Sequence, residues 1–164
     1  MRLRTVFIVV LSAALGIAAA SWLWPSEERV VRRQLDGLAA ALSVPANEPE
    51  IALVTRLARL RPFLSPAITV RNGTQEMSSR DSVLAAASQM RTIGPVAVSF
   101  VDVQVTLHAD RLTADVYLDV KMAGRDPRTG EPTMDAREAR VVMVKENETW
   151  VVTGAETQET LQRP

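Results

Sequence analysis

The sequence predicts an α+β domain behind an apolar N-terminal segment. Three observations carry that reading. The first 25 residues hold a long uncharged run, apolar residues recur at helical spacing over much of residues 26–95, and from Val96 the period changes from near four to two. Helices first and strands afterwards imply three N-terminal helices packed on one face of a curved, mainly antiparallel sheet.

The N-terminal segment comes first. No charge separates Arg4 from Glu27, and residues 6–24 form a run of 19 apolar or small residues, close to the ~20 that span a bilayer as a helix. Trp22 and Trp24 end the run, where indoles suit the headgroup region, and Arg2 and Arg4 ahead of it place the N-terminus in the cytoplasm. Ala18-Ala19-Ala20 also fits the small residues before a signal-peptidase cut. Residues 1–25 are therefore read as a transmembrane anchor or signal peptide, and residues 26–164 as the domain. The first reading puts the domain on the periplasmic side of a bacterial inner membrane, attached through residues 6–24. The second secretes it after cleavage.

Ser26 is placed to cap a helix whose first turn holds Glu27 and Glu28, with Val31, Leu35, Leu38 and Leu42 as its apolar stripe. Pro45 stops it. Asn47, Pro49 and Glu50 then read as cap, first turn and capping-box partner of a second helix. Ile51, Val54, Ala58 and Leu57 should face inward until Pro62. A short strand follows from Ile68 to Arg71, with a turn at Asn72-Gly73. Ser78 or Ser79 caps the third helix, Ser78 with Asp81 as a capping box, and Val83, Leu84, Ala87 and Met90 are its buried side.

The stretch VDVQVTLHADRLTADVYLDV reads as a hairpin around residues 108–111. Val101, Val103, Val105 and Leu107 would then pair with Leu118, Val116, Ala114 and Leu112 on one face. Asp102, Gln104 and Thr106 would share the other with Tyr117, Asp115 and Thr113. The polar stretch AGRDPRTGEPTMD reads as a long loop with Arg125, Asp126, Arg128 and Glu131 as a contact lip. A third strand covers residues 136–145, and a fourth covers residues 150–156.

Composition removes several function classes. Lys plus Arg and Asp plus Glu both number 19, which leaves no positive excess for nucleic acid. There is no cysteine and one histidine, so thiol catalysis and multi-histidine metal sites are excluded. No cofactor motif is present. His108 falls at the hairpin tip with no nucleophile assigned to it. Asp102 and Asp115 are diagonal neighbours on the polar face, where solvation keeps both ionised. Arg29, Arg32, Arg33, Arg56, Arg59 and Arg61 read as the solvated side of two amphipathic helices. Trp150 and Phe63 read as core.

The order helix, helix, short strand, helix, then long antiparallel strands resembles the NTF2-like superfamily, including its SnoaL-like members. The stretch FLSPAITVRNG before SSRDSVLAAASQM and the closing strand TWVVTGAE carry the likeness over about residues 26–160. It implies a curved sheet closed by helices into a cone. Enzymes of the superfamily place acids, tyrosines or histidines inside that cone, and no residue here carries over to such a role. Membrane-tethered assembly factors of type IV secretion systems join one N-terminal span to a domain of this kind, a layout this chain resembles. The expected function is a non-catalytic interaction or assembly module, forming a homodimer or holding a protein partner through Asp102, Gln104, Asp115 and Tyr117. The alternative is an apolar small-molecule carrier or enzyme, its cone lined by Val103, Val105, Ala114, Val116, Leu118 and Trp150. A bulge near Phe100 would exchange the two faces.

Overall fold

The computed structural model describes residues 26–126 and 128–158; the apolar run at residues 6–24 lies outside them. The helices are α1 (Glu27–Leu42), α2 (Glu50–Leu60) and α3 (Arg80–Gln89). The strands are β1 (Leu64–Asn72), β2 (Gln75–Met77), β3 (Val96–Leu107), β4 (Thr113–Arg125), β5 (Pro132–Glu146) and β6 (Thr149–Gln158). They form one sheet in the order β2-β1-β6-β5-β4-β3. All pairings are antiparallel except β1 with β6, so the sheet is mixed. Two helices precede the sheet in sequence and α3 falls between β2 and β3, so the order helix, helix, short strand, helix matches the sequence reading, and two of the three helices lie N-terminal to the whole sheet. Among the described residues no helix is long and apolar enough to cross a membrane.

The α1 stripe behaves as its spacing demands. Val31, Leu35 and Leu38 are buried and Leu42 packs against them. They meet Leu60, Leu64, Ile68, Ala114, Val116, Leu118, Val141, Met143 and Trp150 in a single core. Two devices hold α1 on the sheet. At its start, Glu27 accepts from Lys145 Nζ at 2.9 Å and from Trp150 Nε1 at 3.0 Å, satisfying the indole N–H as the ring is buried. At its end, Ser43 Oγ donates to Ala39 O and accepts from Val98 N, while Val44 bridges Val96.

Helix α2 departs from its expected face. Ile51 and Val54 are 78% and 61% exposed and Ala58 is exposed, whereas Arg56 and Leu60 are buried. The sequence offers two stripes, Ile51/Val54/Ala58 and Leu53/Leu57/Leu60, and packing selects the second. Arg56 goes in with it, contrary to its reading as a solvated residue. Pro49 occupies the N-cap position instead of Asn47, which takes a left-handed turn at φ +56°. In α3 the capping box is Ser79 with Ser82, one residue later than Ser78 with Asp81.

The long hairpin keeps its faces but not its register. Val105 pairs with Val116 and Leu107 with Ala114, two residues displaced from expectation, because the connection spans residues 108–112. Asp110 holds that turn, accepting from the backbone N–H groups of Leu112 and Thr113 and from Thr113 Oγ1. Leu112 is exposed rather than paired with Leu107. A bulge at Asp102–Val103 puts two residues of β3 opposite Leu118, with Asp102 at φ +52°. Beyond it Val101 pairs with Asp119, and Phe100, opposite Val120, takes the inward place. The bulge therefore exchanges Val101 for Phe100 in the core and leaves the acids outside.

The remaining strands are longer than read. β1 begins at Leu64 and runs beside β6, and β2 pairs back on β1. The polar thirteen-residue stretch is mostly strand, since Arg125 pairs with Pro132 and only residues 126–131 connect β4 to β5.

Candidate functional site

Two concavities occupy opposite faces of the sheet. On the outer face, register aligns Gln104, Tyr117 and Arg140 across β3, β4 and β5. Tyr117 is 50% exposed. The Arg140 guanidinium lies 5.9 Å from its ring centroid, within range of a cation–π contact. One turn-ward step along β4, Asp115 orients that arginine, accepting from Nη2 at 2.8 Å and Nε at 3.2 Å through Oδ1. Its Oδ2 lies 2.7 Å from His108 Nε2. His108 first, then Arg140, hold the Asp115 carboxyl below its ordinary pKa despite partial desolvation. Asp102, Gln104, Tyr117, Asp119, Glu138 and Arg140 ring a small hollow of about 200 Å³.

The sequence reading placed Asp115 opposite Gln104 and Asp102 opposite Tyr117. Instead Thr106 faces Asp115, Gln104 faces Tyr117, and Asp102 sits in the bulge. All four residues assigned to an interface thus share the outer side, and the structure adds His108 and Arg140. Arg140 escaped the sequence reading because its role depends on strand register, with Asp115 lying 25 positions away in the sequence. Its alternation with Val141 gave only its face. Among the described residues His108 has Asp115 as its side-chain hydrogen-bond partner.

On the helix side, α1, α2 and the joined ends of β3 and β4 enclose a cleft of about 1320 Å³. Its walls include Gly37, Val44, Ile51, Ala52, Phe63 and Val96. Gly37 leaves room for the Phe63 ring: a Cβ would stand 2.8 Å from Phe63 Cζ, and the ring would have to shift. The charged lining residues are Glu48, Arg56, Arg59 and Arg125. Glu48 and Arg56 form a buried two-point ion pair, Nε–Oε1 2.7 Å and Nη2–Oε2 3.2 Å, with side chains 1% and 7% exposed. Nη2 also donates to Ala87 O at 3.1 Å, tying α2 to α3. None of Val103, Val105, Ala114, Val116, Leu118 and Trp150 lines this cleft. Ala114, Val116, Leu118 and Trp150 are buried in the core, and Val103 and Val105 pack on it. Among the described residues no cluster of histidine, aspartate and glutamate is arranged to hold a metal.

A protein from Xanthomonas campestris proposed to be a calcium/calmodulin-dependent protein kinase II association domain superposes with a TM-score of 0.66 at 14% identity, over 85% of this chain and 91% of its own. A proposed dehydratase of the NTF2-like family from Streptomyces avermitilis superposes with a TM-score of 0.65 at 15% identity, over 82% and 97%. The fold is NTF2-like. A proposed scytalone dehydratase from Novosphingobium aromaticivorans gives 0.68 at 13% identity, over 82% and 85%. No family model matches the chain, and no curated protein matches it. At such identities the likeness is one of fold.

Proposed function

We propose that this chain is an exported, membrane-tethered NTF2-like module that assembles with a second copy through the outer face of β3, β4 and β5. The carrying observation is the Gln104–Tyr117–Arg140 row, with a half-exposed tyrosine under an arginine that Asp115 already holds. Tyrosine and arginine dominate the energetics of protein interfaces, and fixing their rotamers beforehand lowers the ordering cost of association. The fold it shares with an association domain supports the same reading.

Native mass spectrometry of residues 26–164 tests the assembly. A dimer or larger species is expected, weakened at least about 30-fold by Tyr117→Ser with Arg140→Ser, as loss of two central contacts implies. A monomer at all concentrations, or an oligomer indifferent to both substitutions, overturns the reading. The tether is tested separately by fusing alkaline phosphatase after residue 30. Export predicts an active, membrane-bound enzyme, whereas an inactive cytoplasmic fusion removes that part of the proposal.

A further inference from the structure

The cleft between α1, α2 and the ends of β3 and β4 plays no part in assembly through the opposite face, yet its composition points to a ligand. Its walls are mainly apolar, but its charged members are unbalanced: Arg56, Arg59 and Arg125 against Glu48 leave a formal +2. Arg59 and Arg125 are exposed and form no ion pair among the described residues; Arg125 donates to Gly130 O through Nη1. Arg56 is different. Its Nε and Nη2 serve Glu48 and Ala87, while Nη1 is buried and has no acceptor from the protein. Among the described residues it is the one buried side-chain nitrogen or oxygen without a hydrogen-bond partner. Buried donors are almost always satisfied, and Nη1, closed off from the open cleft as the side chains stand, gains an acceptor there if the Arg56 guanidinium turns toward it.

We propose that the cleft binds a small amphipathic carboxylate, an apolar chain or ring ending in a single carboxyl group. The apolar body fits walls such as Val44, Ile51, Phe63 and Val96. The head group follows from charge. Glu48 neutralises Arg56, so a doubly charged anion would lie against an apolar wall whose local charge is already matched, at a large desolvation cost. A single carboxylate needs less. Arg59 and Arg125, exposed on the cleft, supply the unbalanced positive charge and can donate to its oxygens, and a turn of the Arg56 guanidinium toward the cleft would add Nη1. A cation is opposed by the same +2. The exposure of Ile51 acquires a reason, since it borders the cleft where a bound apolar body would cover it.

Calorimetric titration with dodecanoate below its micelle concentration tests this, using the full chain and, in parallel, residues 26–164. Methyl dodecanoate, of equal length but uncharged, is the comparison. Dodecanoate is expected to saturate at one molecule per protomer, with the ester about 10-fold weaker or worse. Two double variants separate the contributions. Arg59→Ala with Arg125→Ala alters only exposed side chains and should weaken dodecanoate about 10-fold while leaving the ester unchanged. Glu48→Met with Arg56→Met replaces the buried pair by apolar bulk and should remove the preference for acid over ester. Equal affinity for acid and ester overturns the proposal. So does binding that neither variant disturbs, or the absence of saturable binding. The Arg59/Arg125 variant decides the matter even where the buried replacement fails to fold.

Discussion

At the scale of single residues, the Glu48–Arg56 pair shows how a charge enters a core and what it costs to leave it alone there. The helix face that buries Leu60 and half-buries Leu53 and Leu57 cannot leave Arg56 outside, because residues three and four apart share a face. Two contacts from Glu48 and one from Ala87 O offset the desolvation of the guanidinium. Removing one partner strands the other, so Glu48→Ala should destabilise the domain by about 3–5 kcal/mol, whereas Glu48→Met with Arg56→Met should lie within about 2 kcal/mol of the parent. Urea unfolding of the three proteins checks both. An Ala variant as stable as the parent would mean that Arg56 finds water on the cleft side. This pair was hardly legible in the sequence. EIALVTRLARL contains two apolar stripes of equal length, and only the tertiary environment chooses between them. The one local hint is the second stripe itself, in which a lone arginine sits among leucines with a glutamate eight residues before it. By contrast, Val31, Leu35 and Leu38 form the only apolar stripe their helix has, and their burial follows directly.

At the scale of elements, strand faces were legible and strand ends were not. Alternation fixes which residues share a side, so the acids and Tyr117 were placed outside correctly in spite of the bulge. Register depends on the turn, and the side chain of Asp110 organises a wider one than the four residues assumed. β1 and the end of β4 were underestimated because Pro66, Gly124 and Pro132 look like interruptions. Pro66 lies in the stretch between Leu64 and Thr69 where the β1–β6 register shifts, and Pro132 opens its strand, both tolerated places for a residue without an N–H. The β5–β6 turn bears its own expectation. Asn147 and Glu148 are its two central residues, and both have positive φ, +47° and +64°. This is the type I′ geometry, for which Asn-Gly is the favoured pair. Glu148 pairs with Lys145 at 3.0 Å, but it is 90% exposed and that contact is worth little. Relieving the left-handed strain should therefore prevail: Glu148→Gly should stabilise by about 0.5–1 kcal/mol, read as a rise in Tm of about 2–4 °C. A fall in Tm would show that the Lys145–Glu148 contact outweighs the backbone term.

At the scale of the whole molecule, two carboxylates join parts that the chain itself keeps far apart. Glu27 connects the start of α1 to Lys145 and Trp150 at the β5–β6 hairpin, and Asp115 connects β4 to β5 through Arg140 and to the β3–β4 turn through His108. Lys145 and Trp150 hold Glu27 below its ordinary pKa, as His108 and Arg140 do for Asp115. A carboxylate whose folded pKa is depressed binds its proton more weakly folded than unfolded. Its contribution is complete above the unfolded value, about 4 for these groups, and is lost as pH falls through the folded one. The net charge of zero near neutrality leaves little overall repulsion to mask this. Glu27→Gln with Asp115→Asn should thus cost about 1–3 kcal/mol at pH 7, since both sites are partly solvated, lowering Tm by several degrees. As pH falls below the unfolded range toward pH 2, the parent gives up the same interactions and the two melting curves should approach one another. Thermal unfolding followed by circular dichroism from pH 7 to pH 2 provides the comparison. Convergence would establish that the helix layer and the outer sheet face are fastened by ionised carboxylates. A constant gap across the range would mean that Glu27 and Asp115 act through packing and neutral hydrogen bonds, and that acid stability is decided elsewhere in the fold.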